Sequence, residues 1–139
     1  MDLGNLLFSF KGRINRSRMW LGMLILFVLS IVGYVAIVAS LGEPFTITNL
    51  DAVTAGNAEP EFLFNQPSLI AYGVLALIST FMSLALMAKR CHDRGKSGWW
   101  SLISLVPLAG LIWFLIDLGV MEGDEGPNQW GPNPLRIPA

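Results

Sequence analysis

Charge is the scarcest commodity in this chain of 139 residues: Asp, Glu, Lys and Arg make up 14%, whereas 53% of residues are hydrophobic. Soluble globular domains carry about 25% charged residues, so there is too little polar surface here to coat a small globule in water. Cysteine is nearly absent. The single Cys91 excludes an intramolecular disulfide and any multi-cysteine metal site. Histidine is equally scarce, and His92 alone offers no metal-ligand set, so neither a metal nor another cofactor is expected. A net charge of −1 excludes a basic nucleic-acid binder. Internal repeats and low-complexity tracts are missing too, and one domain is the natural count at this length.

What remains is apolar sequence in long blocks. Residues 19–42 contain no charged side chain and are dense in Leu, Ile and Val. At ~1.5 Å of rise per residue such a run covers a hydrocarbon core of ~30 Å. It exceeds the roughly 7 to 15 apolar residues of a cleaved signal peptide, the competing reading. Residues 67–88 form a second uncharged run, with Pro67 and Ser68 marking its start. A third, 97–116, is interrupted at Pro107, which removes a backbone donor and clashes with the preceding turn. A kinked span is expected there, with a re-entrant pair of half-helices as the alternative. Beyond Asp117 lies an irregular tail, 117–139, rich in Gly, Pro and Asn. The expected fold class is an all-α membrane protein: a small bundle of three apolar segments with a turn-rich C-terminal tail.

Charge orients the segments. Residues 1–18 hold Lys11, Arg13, Arg16 and Arg18 against Asp2, and residues 89–96 hold Lys89, Arg90, Arg94 and Lys96 against Asp93. The loop 43–66 between the first two spans has Glu43, Asp51, Glu59 and Glu61 but neither Lys nor Arg. Positive-inside bias therefore puts the N-terminus and the basic loop in the cytoplasm of an inner (plasma) membrane, the chain crossing several times. Arg136 in the tail weighs on neither side. The outer loop mixes Phe45, Ile47, Leu50, Val53, Phe62 and Phe64 with polar residues, so it either touches the headgroup boundary or moves freely.

Two basic clusters carry the chemistry on offer. In the first, four cations precede Trp20, an interfacial anchor; guanidinium groups there can bind lipid phosphates, or the cluster only orients the first helix. In the second, Lys89 and Asp93 are four apart and can pair, while Arg90 and Arg94 would repel unless an anion lies between them. Gly95 and Gly98 allow a sharp turn, Ser97 can cap the next helix, and Trp99 and Trp100 seat it at the interface. The anion reading, for Lys11, Arg13, Arg16, Arg18, Lys89, Arg90, His92, Asp93, Arg94 and Lys96, competes with a structural turn held by internal salt bridges. Cys91, His92 and Asp93 cannot form a relay among themselves, since neighbours on a helix point about 100° apart. None of the three apolar runs has an ionisable residue inside it, which argues against a coupled transporter. Gly22, Gly33 and Gly73 allow close helix contact, so a homo-oligomer or a membrane protein partner is plausible besides anionic phospholipid.

Three separated strings, FKGRINRSRMW at 10–20, KRCHDRGKSGWW at 89–100 and GDEGPNQWGPNP at 123–134, resemble the YhaH-like bacterial inner-membrane family, domain of unknown function 805. Met19, Cys91 and Trp130 depart mildly from the usual residues. The resemblance implies a small multi-pass bacterial membrane protein without an established reaction. It also picks out the tail positions Asn128, Trp130, Gly131, Pro132 and Pro134. If these meet Arg13, Arg16, His92, Asp93 and Arg94 at one membrane face, the tail must be cytoplasmic, which favours the re-entrant alternative. The leading expectation is a non-enzymatic membrane protein with a basic cytoplasmic face. Two alternatives are an enzyme or carrier for a phosphorylated lipid, with His92 as acid or base near Arg94 and Asn128, and an oligomeric pore lined by Ser79, Thr80 and Ser83.

Overall fold

The computed structural model describes residues 3–135; Asp2 and Arg136 lie outside the described residues. In chain order it contains α1 (Leu3–Phe8), α2 (Arg16–Leu41), β1 (Phe45–Ile47), α3 (Leu50–Thr54), β2 (Phe62–Phe64) and α4 (Gln66–Asp93). A 3₁₀ helix (Gly98–Leu105) follows, then α5 (Ala109–Trp113), which runs on into a π-helical stretch (Phe114–Val120).

The two long helices have clear start and stop signals. Asn15 caps α2, its side-chain oxygen accepting the Arg18 amide at 2.9 Å. Gly42, at φ +85°, ends the helix in the left-handed conformation that glycine adopts without penalty. Pro67 sits in the first turn of α4, where its missing N–H costs nothing. At the other end Gly95 (φ +67°) donates to the His92 carbonyl at 3.1 Å and Lys96 to Cys91 at 2.9 Å, the paired bonds of a Schellman stop. With 26 and 28 residues the helices are about 39 and 42 Å long, more than a ~30 Å hydrocarbon core requires. Both are long and apolar enough to cross a membrane. The stretch 89–93 is thus a charged extension of α4 beyond its apolar part, 67–88.

Two expectations need correction. The chain is not purely helical, because the outer loop folds into an antiparallel hairpin pairing Phe45 with Phe64 and Ile47 with Phe62. Aromatic and β-branched residues favour the extended state there. Asn49 ties the loop, donating to the Glu59 carbonyl at 2.6 Å and accepting from the Glu61 amide at 2.9 Å. The third apolar segment, in turn, is broken rather than kinked. Leu108 takes φ +61° just after Pro107, and at Gly110 a side-chain carbon would overlap the backbone of Ile103 and Ser104. The two pieces therefore fold back on each other. Neither the 8-residue 3₁₀ helix, about 16 Å long at ~2 Å per residue, nor the helical stretch 109–120, about 18 Å, reaches across a bilayer.

The chain forms two compact units, 28–78 and 1–27 with 79–139. In the first, Gly33 faces Leu75, Tyr34 packs edge-on against Tyr72 at 5.8 Å, and Ser68 donates to the Gly42 carbonyl at 2.8 Å. In the second, Leu6, Leu7, Ile14, Met19, Leu26, Leu86, Cys91 and Leu118 make the core, and Gly22 faces Leu86. Gly22 and Gly33 thus face leucines of the same chain, while a side-chain carbon added at Gly73 would meet no other part of the described residues within 4 Å.

Candidate functional site

Arg90 and Lys89 are the largest fully buried side chains among the described residues, an unusual inventory for a small protein. Both stand on the last turns of α4, where the helix outruns its apolar stretch, and both are satisfied internally. Lys89 does not pair with Asp93 as its spacing suggested; its ammonium donates to the carbonyls of Asn5, at 2.8 Å, and Leu6, at the end of α1. Burial brings its pKa down to about 8. Asp93 instead bonds Arg90 three residues earlier and Arg13 from the segment before α2, the latter at 3.1 Å. The three side chains are at most 5% exposed. Burial pushes the Asp93 carboxyl up, and the Arg90 and Arg13 guanidiniums beside it pull it back down.

Arg13 also fastens the tail. Its Nη1 donates to the carbonyls of Gly126, at 2.8 Å, and Gly131, at 3.1 Å, and its Nη2 to Asp124 at 2.8 Å. The Asp124 amide returns to the Asp93 carbonyl at 2.8 Å. At Gly123 a side-chain carbon would overlap the Asp93 carboxylate, so the chain can pass there only as glycine. Asn128 donates to the His92 carbonyl at 2.9 Å and closes a small turn with Gly131. Trp130 stacks on the His92 ring, with centroids 3.7 Å apart and planes at 9°. Pro132 and Pro134 continue the turn-rich chain beyond Gly131.

A second acidic hub is Asp117, which the sequence offered only as the start of the tail. Arg94 reaches its carboxylate at 3.1 Å and its carbonyl at 2.6 Å, and Lys96 its carboxylate at 2.7 Å. Arg90 adds a bond to the Leu118 carbonyl at 3.0 Å. Arg90 and Arg94 thus each have a carboxylate of the chain itself as counter-charge, Asp93 and Asp117 respectively. At the rim, Arg16 holds Glu122 at 3.1 Å in an exposed pair and donates to the Val120 carbonyl at 2.7 Å. Lys11 and Arg18 are exposed and make no ion pair among the described residues. Trp20 packs edge-on against Phe114 and is 44% exposed; Trp99 is 79% exposed, and Trp100 lies under the Lys96 ammonium.

Cys91, fully buried, has its thiol pushed up to about 12, mainly by burial, which makes it a poor nucleophile. Burial likewise lowers the His92 pKa, with the hydrogen bond to the Gly12 carbonyl working the other way. Among the described residues no cluster of His, Cys, Asp or Glu could hold a metal.

The three motifs quoted from the sequence are thus one bonded assembly, and a family model described as "Protein of unknown function (DUF805)" matches residues 7–132. The chain belongs to the DUF805 family. Among its relatives, "Inner membrane protein YhaH" of Escherichia coli K12 is 33% identical over 67 residues, 48% of this chain and 52% of that protein. "Inner membrane protein YhaI" is 39% identical over 62 residues, 44% of this chain and 52% of the relative. "Uncharacterized protein YiiR" is 30% identical over 162 aligned residues, 94% of this chain and 89% of its own length. The chain therefore spans about half of YhaH and YhaI. No solved structure matches this DUF805 chain. The relatives' names and the two long apolar helices support an inner-membrane protein of unestablished activity.

Proposed function

We propose that this DUF805 protein is a non-enzymatic, multi-pass inner-membrane protein whose cytoplasmic headpiece presents a narrow cationic rim to anionic lipid headgroups. The carrying observation is how the cations are divided. Arg13, Lys89, Arg90, Arg94 and Lys96 are bound to partners inside the headpiece. Lys11 and Arg18 are exposed and unpaired among the described residues, and Arg16, which also donates to the Val120 carbonyl, has as its ion-pair partner an exposed glutamate that a lipid phosphate can replace. The ten candidate positions read from the sequence therefore narrow to Lys11, Arg16 and Arg18, with Trp20 and Trp99 as interfacial neighbours. Two basic segments and an acid-only outer loop support a cytoplasmic N-terminus. The bonds from Arg13 to the tail support a tail on that same side, with residues 98–120 dipping into the bilayer and returning.

The phosphorylated-lipid enzyme finds no support in the geometry. Arg94 is engaged by Asp117, and Asp93 serves two arginines instead of orienting His92. Nor does a pore, since the Ser83 hydroxyl turns back to the Thr80 carbonyl at 2.8 Å.

Attraction to an anionic surface is worth about 1 kcal/mol per basic residue, so replacing Lys11, Arg16 and Arg18 by Gln together should remove most of the preference for spin-labelled phosphatidylglycerol over phosphatidylcholine in mixed nanodiscs. An unchanged lipid ratio in a folded triple variant refutes the lipid-contact reading. Reporter fusions before Leu3 and after Leu135 should both report the cytoplasm; a tail on the outer side refutes the topology.

A further inference from the structure

Beside the headpiece's ion pairs lies a cavity of a different character. It encloses about 380 Å³ against Phe10, Leu84, Ala88, Trp99, Leu102 and Trp130, with neither an acidic nor a basic residue on its wall apart from His92. Leu84 and Ala88 close the apolar stretch of α4, and the rim residue Trp99 is exposed, so the opening stands where hydrocarbon gives way to headgroups.

His92 is the one titratable residue on the wall, beside the hydroxyls of Ser97 and Ser101. Its Nδ1 lies 3.1 Å from the Gly12 carbonyl. A carbonyl only accepts, so Nδ1 carries the hydrogen, and in the neutral ring Nε2 is left as a bare acceptor. Burial disfavours the charged ring. Nε2 has no hydrogen-bond partner among the described residues and sits on the cavity wall, where a methyl added at Gly98 would come 3.0 Å from it. Of the other polar groups on the wall, Ser101 donates to the Gly98 carbonyl at 2.7 Å and Ser97 accepts from the Trp99 amide, while the Trp130 Nε1 donor is buried without a hydrogen-bond partner among the described residues, so a hydroxyl, which both donates and accepts, suits this lining. Trp130 stacked on the ring and the Gly12 bond hold the imidazole in place.

We propose that this cavity binds a neutral, hydroxyl-bearing lipid, its apolar body between the aromatic walls and its O–H donating to His92 Nε2. The lining selects this chemistry. A charged headgroup would find no counter-charge there, a hydrocarbon would leave Nε2 unpaired, and a simple ester has nothing to donate. Diacylglycerols, isoprenoid alcohols and quinols share the required pattern. The site is separate from the rim of Lys11, Arg16 and Arg18, so its failure and the failure of the headgroup reading are distinguishable.

Because His92 is the chain's single histidine, ¹⁵N-histidine labelling gives one imidazole to observe in nanodiscs. Without added lipid the ring should be neutral with hydrogen on Nδ1. Dioctanoylglycerol, farnesol and a short-chain quinol are titrated in turn, each against its methyl ether. At least one alcohol should shift the Nε2 resonance saturably while its ether does not, and the responding probe identifies the source. No saturable shift with any alcohol, or an equal shift with the ether, overturns the proposal. Gly98→Ala places a methyl against Nε2 and should weaken binding by about tenfold or more. Ala88→Leu fills the cavity from α4, one turn before His92, and guards against a misfolded first variant. Undiminished binding in whichever variant keeps the Nδ1–H signature also overturns it, whereas the Lys11, Arg16 and Arg18 triple variant should bind as before.

Discussion

Replacing Asp93 by Asn keeps the side chain's shape and removes its charge, leaving Arg13 and Arg90 buried without the carboxylate that pairs with both. Guanidinium groups do not lose their proton in proteins, so the two cations cannot escape by titrating. Breaking a buried ion pair by removing one partner costs about 3 to 5 kcal/mol, and here one carboxylate serves two arginines whose side chains are each 1% exposed. Arg16→Gln is the matched control: its pair with Glu122 is 43% and 80% exposed, and such surface pairs contribute about 0 to 1 kcal/mol. At about 3 °C per kcal/mol for a chain of this size, Asp93→Asn should lower the melting temperature by roughly 10 to 15 °C and Arg16→Gln by about 3 °C at most. Cys91 supplies the assay, being the single thiol and fully buried. A thiol-reactive fluorophore added to the detergent-solubilised protein should stay dark until the headpiece opens on heating. Melting of Asp93→Asn within about 3 °C of the parent, or no further down than Arg16→Gln, would refute the assignment of Asp93 as the hub.

Gly123→Ala should push the tail off the Asp93 carboxylate while every charged residue is kept, making residues beyond 120 readily cut in limited proteolysis while the parent tail resists. Gly110→Ala should prevent the close approach of residues 98–105 to α5 at a cost of about 1 to 3 kcal/mol, as overpacking generally does; an unaltered melting temperature would refute the back-folded arrangement. Burial keeps the folded-state pKa of His92 below its ordinary value, so the folded chain disfavours the proton that the unfolded chain takes up below about pH 6.5. The stability linked to this ring is present above that pH and is lost as the pH falls through it. The drop in melting temperature between about pH 7.5 and pH 5.5 should therefore shrink in His92→Phe; an identical drop in both proteins would exclude His92 as its source.

The positions of the two long helices were legible from residues alone. Uncharged runs at 19–42 and 67–88, Pro67, and a glycine just past each end correspond to α2 and α4 to within three residues at every end except the last. The exception is informative: α4 continues through residues 89–93 because, beyond the local Arg90–Asp93 pair, Lys89, Arg90 and Asp93 are each bound by groups far away in sequence. Periodicity within the run carries no sign of that. α1 was not visible either, since six residues without a cap are too few for a helical pattern to register and its stability comes from burying Leu6 and Leu7 and receiving Lys89. At 106–110 the proline announced a break but not its sense. The back-folding depends on Leu108 adopting φ +61° and on the missing side chain of Gly110, both consequences of packing.

Local composition by itself pointed to a membrane and to three of the four ends of the two long helices, because the cost of placing charge in hydrocarbon is set residue by residue and can be summed along the chain. Apart from Arg90 and Asp93, three residues apart on one helix, which cation meets which acid was decided only by tertiary structure. The four basic residues at 89–96 look alike in the sequence, yet Arg90 joins Arg13 on Asp93, Arg94 and Lys96 share Asp117, and Lys89 finds the carbonyls at the end of α1. A buried charge takes whatever partner the folded chain brings within about 3 to 4 Å, and that distance bears no relation to separation along the sequence.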